Sequence, residues 1–294
     1  VAVIEGVEET MQIELIETFL DLMETRSFNR TAERMNLTQS TISHRVNALE
    51  ADLDRKLFVR GKGGTVPTAA ALRFFDHAKA LQQNWHEALR AVESAGSYEH
   101  SMRIGMQHDV AEMIGARFLK TLREEMPATS IYLEADYSNQ MNRDLGAGDL
   151  DLAVLYTPHH LPDLHYERIG DVTYTLVSTK VASVSEIRPD DYIYANYSPA
   201  FDRAHRMAMS HLTAAPLTTG RNVMVRDLLS TLGGSAYLMQ TTARQMIESK
   251  IVCAAEGATD ILQTVYAATT IRTRHRSPHR RMVQILSELL ATYC

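Results

Sequence analysis

The densest run of chemistry in this 294-residue sequence lies between Ser27 and Glu50. From Thr38 onward, Gln39, Ser40, Thr41, Ser43, His44, Arg45 and Asn47 supply hydroxyls, amides, an imidazole and a guanidinium, and among them Ile42, Val46 and Leu49 recur at steps of four and three. At about 100° per residue, the three aliphatic side chains share one stripe of a helix, Ser40, His44 and Asn47 lie opposite, and Thr41 and Ser43 flank them. An ordinary solvated face carries Glu and Lys at such sites; this one has no carboxylate and no large aliphatic residue. Small donors and acceptors let a helix enter a major groove closely and exchange hydrogen bonds with base edges.

The elements around this face suit the same task. Ser27 caps one short helix with Phe28, Ala32 and Met35 on its inner side; Thr38 caps the next, and only Asn36 and Leu37 separate them, which is a helix-turn-helix. After Leu57-Phe58-Val59, the run Arg60-Gly61-Lys62-Gly63-Gly64-Thr65-Val66-Pro67 predicts two short strands around a Gly-rich turn, a wing beside the helix pair. Arg60 and Lys62, with Arg30 and Arg45, are cations able to neutralise phosphates. A nucleotide-binding loop is the rival, but its Lys would follow the glycines rather than precede them.

Composition bounds the rest. With 45% hydrophobic and 22% charged residues the chain can bury two or three cores, and a net charge of -6 excludes a surface that is basic everywhere while allowing one basic module. No stretch approaches the roughly 20 apolar residues of a spanning helix, and Glu5, Glu8 and Glu9 stand where a signal peptide would carry Lys or Arg, so the expectation is a cytoplasmic protein without a membrane partner. The two cysteines, Cys253 and Cys294, predict reduced thiols and exclude a four-Cys zinc site.

Three textures follow one another along the chain. Short punctuated helices occupy residues 11–67 after an extension at 1–10, and one unbroken helical pattern runs over 68–96. From 101 to 294, apolar runs at Met102 to Met106, Ile131 to Ala135, Leu150 to Tyr156, Tyr174 to Ser178 and Tyr192 to Ala195 alternate with helical patterns, an α/β arrangement with a largely parallel sheet expected. In the middle helix Ala71, Phe75, Ala78, Trp85, Leu89 and Val92 form one apolar stripe, while Phe74, Leu81 and Ala88 form a second. Two stripes exceed what one flank of a small domain covers, so Phe75, Ala78, Trp85, Leu89 and Val92 are expected to pair with a second copy.

Phe19, Ser27-Phe28, Ala32, Met35, the run Thr38 to Ser43, Leu49-Glu50, Leu53, Leu57-Phe58, Arg60 and Thr68 stand in the order and spacing of the LysR-type transcriptional regulators, which the chain resembles over nearly its whole length. It departs from the family pattern at Thr31 and Ala70, where Ala and Gly are usual, and at Asp54, where Gly follows Leu53. The resemblance implies a winged helix-turn-helix, a linker helix pairing two subunits, two such dimers forming a homotetramer, double-stranded promoter DNA with an inverted repeat as partner, and contact with RNA polymerase. It further implies a carboxy-terminal effector domain like a periplasmic binding protein, with subdomain I at about 101–160 and 262–294, subdomain II at about 161–261, and a cleft for a small-molecule co-inducer.

Within that expected cleft, Gln107, His108 and Asp109 follow the first strand and precede a helix, where parallel sheets place ligands; the alternative is that they are loop residues capping that helix. Gly148-Asp149-Leu150-Asp151 matches the family's Gly-acid-Leu-Asp strand, which leads to a crossover near Tyr156. Tyr197 and Ser198 approach from the other side. Arg226 either pairs with a carboxylate effector, making the co-inducer anionic, or with its neighbour Asp227. The run Tyr197 to His205 is similar to a subgroup of the family that includes flagellar-operon repressors.

Twelve histidines invite a metal reading. His275 and His279 have helical spacing, but Pro278 lies between them, and His159-His160 sits among prolines; no metal and no cofactor is expected. No Gly-x-Ser-x-Gly elbow and no dinucleotide loop is present, so no enzyme is expected. A solute-binding module and a redox-sensing regulator joining Cys253 to Cys294 are the alternatives. Arg272, Arg274, Arg276, Arg280 and Arg281 form a basic cluster read as a solvated edge and helix start.

Overall fold

A computed structural model of the protein describes residues 12–61, 64–93, 98, 100–159 and 161–293. The chain divides into two compact units, Val1–Glu93 and Ser94–Cys294. Among the described residues no helix is long and apolar enough to cross a membrane.

The first unit contains helices α1 (Ile13–Thr25), α2 (Phe28–Arg34) and α3 (Gln39–Asp52), strands β1 (Phe58–Gly61) and β2 (Gly64–Pro67), and the long helix α4 (Ala69–Glu93). The expected caps are present: the Ser27 side chain accepts from Arg30 N–H and that of Thr38 from Thr41 N–H. Asn36, between the helices, takes φ 54°, and Asp54 takes φ 48° after α3. Asp tolerates the left-handed region because its short carboxylate bonds locally, so the turn survives without the family's Gly. Thr31 is fully buried and its hydroxyl shares a 2.6 Å hydrogen bond with Thr25, so the departure from Ala gives its oxygen a partner. Ala70 is half-buried on the core side of α4.

Packing in this unit converges on Phe19. The ring has no exposed surface and lies 5.7 Å from Phe58 of β1 and 5.2 Å from Phe74 of α4, among Ile42, Val46 and Leu49 of α3. One side chain of α1 therefore joins the wing and the long helix to the body that carries α3.

The second unit runs β3 (His100–Met106), α5 (His108–Val110), a π-turn over Ala111–Gly115, α6 (Ala116–Glu125), β4 (Thr129–Ala135), α7 (Ser138–Ala147), β5 (Leu152–Leu155) and β6 (Leu164–Ser178). It continues with β7 (Ile193–Ala195), α8 (Pro199–Ala208), β8 (Leu217–Thr219), α9 (Asn222–Leu232), β9 (Ser235–Met239), α10 (Gln240–Glu248), β10 (Cys253–Ala254), β11 (Ile261–Thr270) and α11 (Ser277–Ala291). The main sheet has the order β10-β6-β11-β5-β3-β4, with β9 also on β6.

The sheet corrects the expectation of a largely parallel arrangement. Only β3 with β4 and β3 with β5 are parallel in it, and β6 meets β9, β10 and β11 antiparallel, as β5 meets β11. The cause is β6, which spans 15 residues instead of the five apolar ones at its end. Its first part, Leu164 to Tyr174, pairs with β11, and its last part, Tyr174 to Ser178, with β9. A strand shared in this way ties the two halves of the unit together. Its charged outer residues, Glu167 and Arg168, hide it from a search for apolar runs.

Replacing Phe19 by Ala is expected to destabilise the amino-terminal unit by ~3–5 kcal/mol, since a large cavity opens between three elements. Denaturant unfolding followed by Trp85 fluorescence checks this; a loss below about 1 kcal/mol contradicts the packing account.

Candidate functional site

On α3 the predicted stripe of Ile42, Val46 and Leu49 is buried, and Gln39, Ser40, His44 and Asn47 are exposed, with Thr41 and Ser43 half-buried. The hydroxyls at the start of α3 bond to one another: Thr38 Oγ1 lies 2.8 Å from both Ser40 Oγ and Thr41 Oγ1, and Gln39 Nε2 donates to Ser43 Oγ at 3.3 Å. These short bonds hold the outward face in defined rotamers. Arg30 is exposed on α2. Arg45 differs from its expected place, because its Nη1 turns back to donate to Thr18 Oγ1 of α1 at 3.3 Å and the side chain is half-buried.

The wing forms as predicted, with β1 and β2 antiparallel and Arg60 paired with Thr65 in register. Lys62 lies outside the described residues. Sequence reasoning missed Glu50, which fixes the wing against α3. Its carboxylate is buried and accepts from Leu57 N–H at 2.8 Å, Phe58 N–H at 3.1 Å and Lys56 Nζ at 2.6 Å. Two backbone donors that a carboxylate satisfies at the foot of β1 cannot be read from periodicity.

Along α4 the predicted pairing stripe divides. Ala78 is fully buried against its own domain and Phe75 is half-buried there, because the first turns of α4 pack on α1. That placement corrects the expectation that both face a second copy. Trp85, Leu89 and Val92 are exposed, at 45%, 44% and 74%.

In the second unit a cleft of about 610 Å³ opens beyond the carboxyl ends of β3 and β4. Gln107 lines it, with Tyr197 and Ser198 from the loop before α8, as anticipated. Residues not anticipated complete it: Tyr137, Ser138 and Asn139 at the start of α7, Asn196, Asp202, and Thr218 to Gly220 before α9. The first three follow β4 as Gln107 follows β3, so the same strand-to-helix logic would have found them. At Gly220 an added Cβ would come within 2.9 Å of the Asn196 carbonyl, so this wall requires glycine.

The floor is saturated with hydrogen bonds. Ser138 Oγ donates to Gln107 Oε1 at 3.2 Å and accepts from the N–H groups of Tyr156 and Thr157, while Gln107 Nε2 donates to the Tyr197 carbonyl at 3.4 Å. Ser198 caps α8 and donates to Gln263. His108 stands beside the cleft, its ring edge-on to Tyr137 at 5.0 Å, and burial together with Arg221 holds its pKa below the usual value.

Four predicted contacts do not line the cleft: His108, which stands beside it, and Asp109, Tyr156 and Arg226. Asp109 is 2% exposed, a buried group rather than a solvated loop residue, and Tyr156 is buried beside it. Tyr174 OH donates to Asp109 Oδ2 at 2.5 Å and lies 3.0 Å from Tyr156 OH, while Asn222 N–H donates to Asp109 Oδ1 at 3.3 Å. The Tyr174 ring in turn stacks on Tyr197 at 4.3 Å. Burial pushes the Asp109 pKa up to about 7 against the pull of these donors. Arg226 pairs with Asp227 at 2.9 Å, the second of its two readings, and does not line the cleft.

Among the described residues no group of three His, Cys, Asp or Glu is placed to hold a metal ion. His275 lies in the turn before α11 and His279 is buried in its first turn. Cys253 is exposed on β10, and Cys294 lies outside the described residues. In the basic cluster, Arg281 grips Glu125 with two bonds of 2.6 Å.

Comparison with known proteins gives two family matches. The family described as bacterial regulatory helix-turn-helix protein, lysR family, matches residues 13–72, and the LysR substrate binding domain matches residues 95–291. The HTH-type transcriptional regulator HdfR of Yersinia pestis is 28% identical over 241 residues, covering 78% of this chain and 81% of that protein. Among solved structures, full-length LysG of Corynebacterium glutamicum with bound effector Arg aligns over 96% of this chain and 99% of its own, with a TM-score of 0.59 at 15% identity. DarR of Vibrio fischeri in complex with DNA aligns over 95% and 99%, with a TM-score of 0.58 at 18% identity. At these identities the structural matches speak for the fold.

Removing the Glu50 acceptor by Glu50→Ala is expected to cost roughly 1–3 kcal/mol and to lift the hydrogen-exchange protection of the Leu57 and Phe58 amides; unchanged protection contradicts the anchoring role. Asp109 gives a pH signature. Its folded-state pKa of about 7 exceeds the 3.8 of the free acid, so between these values folding takes up a proton and stability falls as pH rises, the full penalty being reached above about pH 7. Asp109→Asn is expected to flatten that slope and to gain stability relative to the unsubstituted protein at pH 8, by at most about 4 kcal/mol. Thermal unfolding of both proteins from pH 4 to 8 measures the difference, and parallel curves contradict the assignment.

Proposed function

Because the chain belongs to the LysR family of bacterial helix-turn-helix transcriptional regulators, whose two domain families span both of its units, we propose that α3 enters the major groove of an inverted-repeat promoter site. The family's members are regulators rather than enzymes. The observation that carries the reading is the outward face of α3: Gln39, Ser40, His44 and Asn47 project from a helix whose opposite stripe is wholly buried, and no carboxylate interrupts them. In this reading Gln39, Ser40, Ser43, His44 and Asn47 meet bases, while Thr38, Thr41, Arg30, Arg60 and Lys62 serve the phosphates and the helix start.

A second copy presents the partner half-site. Trp85, Leu89 and Val92 of α4 are the exposed apolar residues that pair the copies, and two dimers build a homotetramer that bends the promoter and meets RNA polymerase. The cleft of the second unit receives a small-molecule effector. Binding there changes the relation between the two halves joined by β6, and a ligand shifts that equilibrium only through unequal affinity for the two arrangements. Gln107, Tyr197 and Ser198, with Tyr137 and Asn139, are the residues such a ligand meets first, while Asp109 and Tyr156 act behind them.

Each good bidentate base contact discriminates by ~1–3 kcal/mol, so Asn47→Ala is expected to weaken the operator by about tenfold or more while leaving unrelated DNA unaffected. Arg60→Ala is expected to weaken all sequences alike and to lower the salt slope by about 1. Binding isotherms at several salt concentrations separate the two effects. A footprint without dyad symmetry, or an unaltered Asn47→Ala isotherm, contradicts the proposal.

A further inference from the structure

The walls of the cleft are ionically asymmetric. Its described lining holds the amides of Gln107, Asn139 and Asn196 and one carboxylate, Asp202, with no Lys, Arg or His. The Asp202 side chain is 22% exposed and takes Arg206 Nε at 2.9 Å, and Tyr194 OH donates to its other oxygen. Arg206 holds the Asp202 pKa below its ordinary value, so this carboxylate is ionised at neutral pH, in an ion pair with Arg206. Each carboxylate oxygen keeps a further lone pair for a donor in the cleft.

The cation that matches this carboxylate stands at the rim. Arg221 follows Gly220 of the wall, is exposed, and has no carboxylate partner among the described residues; its Nη2 lies 3.5 Å from Nε2 of His108, whose ring abuts Tyr137. Beside it α7 begins at Ser138 with no side-chain cap, leaving amide hydrogens and the positive end of a ten-residue helix at the same wall. Arg226 pairs with Asp227 and does not line the cleft.

From these observations we infer that the cleft takes a small zwitterion of the amino-acid class, its carboxylate held by Arg221 and the α7 amides and its ammonium, on the α carbon or at the end of a side chain, donating to Asp202. The inference rests on the cleft being the effector site. A dicarboxylate would set its second anion against Asp202, an amine would leave Arg221 unpaired, and a sugar would use neither ion.

Titration calorimetry of the full chain at neutral pH tests this with four sets of probes: the twenty common L-amino acids, their deaminated acids, their decarboxylated amines, and succinate with glucose. At least one amino acid is expected to bind, with both of its truncated analogues weaker by about tenfold or more. Arg221→Gln, at an exposed site that leaves folding intact, is expected to weaken the amino acid by about tenfold, and Asp202→Asn to erase the preference over the deaminated acid. Blocking the wall with Thr218→Trp is expected to abolish binding. Succinate or glucose binding more tightly than every amino acid, no amino acid binding, or binding indifferent to Arg221→Gln overturns the inference. Operator gel shifts with the bound amino acid keep the two readings apart: an amino acid that binds the cleft without altering operator affinity defeats the effector role and leaves the ligand class standing, whereas succinate or glucose altering operator affinity through the cleft does the reverse.

Discussion

The amino-terminal unit depends on burying one aromatic ring. Phe19 lies between the wing, through Phe58, and the long helix, through Phe74, and shares its core with the aliphatic stripe of α3. Because that stripe is consumed by the core, the opposite face of α3 has no choice but to point outward, and its rotation about the helix axis is set. The same ring fixes where α4 departs, so the orientation of the polar face and the direction of the long helix α4 are consequences of one packing arrangement. Glu50 completes it by accepting from the backbone amides of Leu57 and Phe58 at the start of β1, which keeps the wing beside α3 rather than free.

In the second unit the corresponding constraint is polar. A carboxyl group is buried in the interior, and the structure answers with Tyr174, Asn222 and a raised proton affinity. Asp109 and its two partners belong to the helix after β3, to the shared strand β6 and to α9, so satisfying one buried acid brings together parts of the chain more than 100 residues apart, as the 113-residue separation of Asp109 and Asn222 records. Tyr174 also stacks on Tyr197, whose carbonyl takes the Gln107 amide, and this places the cleft floor and the buried acid in one continuous set of contacts. Buried polar networks of this kind resist partial rearrangement, because each unmade bond leaves a desolvated group without a partner.

The legible parts of the molecule were those written in local spacing. Ser27 and Thr38 as caps, the buried stripe of α3 with its polar face, the two strands of the wing, and Gln107 at the end of β3 all follow from residue type and short-range period, and all stand where that reasoning put them. The long-range parts escaped it. β6 was seen only at its apolar end because its outer residues are charged, and its antiparallel neighbours, far away in the chain, turned an expected parallel sheet into a mixed one. Spacing leaves Arg226 between a carboxylate ligand and Asp227, and the fold gives it to Asp227, while Arg45, expected at a phosphate, turns back to Thr18. Ala78 belonged by period to the outer stripe, yet α1 covers it.

What the sequence alone determined is therefore the kind of machine: a helix-turn-helix with a polar outward face on α3, a long helix after the wing, and an α/β unit, because period, caps and glycines act over a few residues and leave their mark on the order of amino acids. Only the tertiary structure decided which polar groups remain available. That choice depends on which donor meets which acceptor across distant segments, as Glu50 meets β1, Asp109 meets Asn222 and Arg226 meets Asp227, and burial changes both the partners and the proton affinity of a side chain in ways that no neighbouring residue announces.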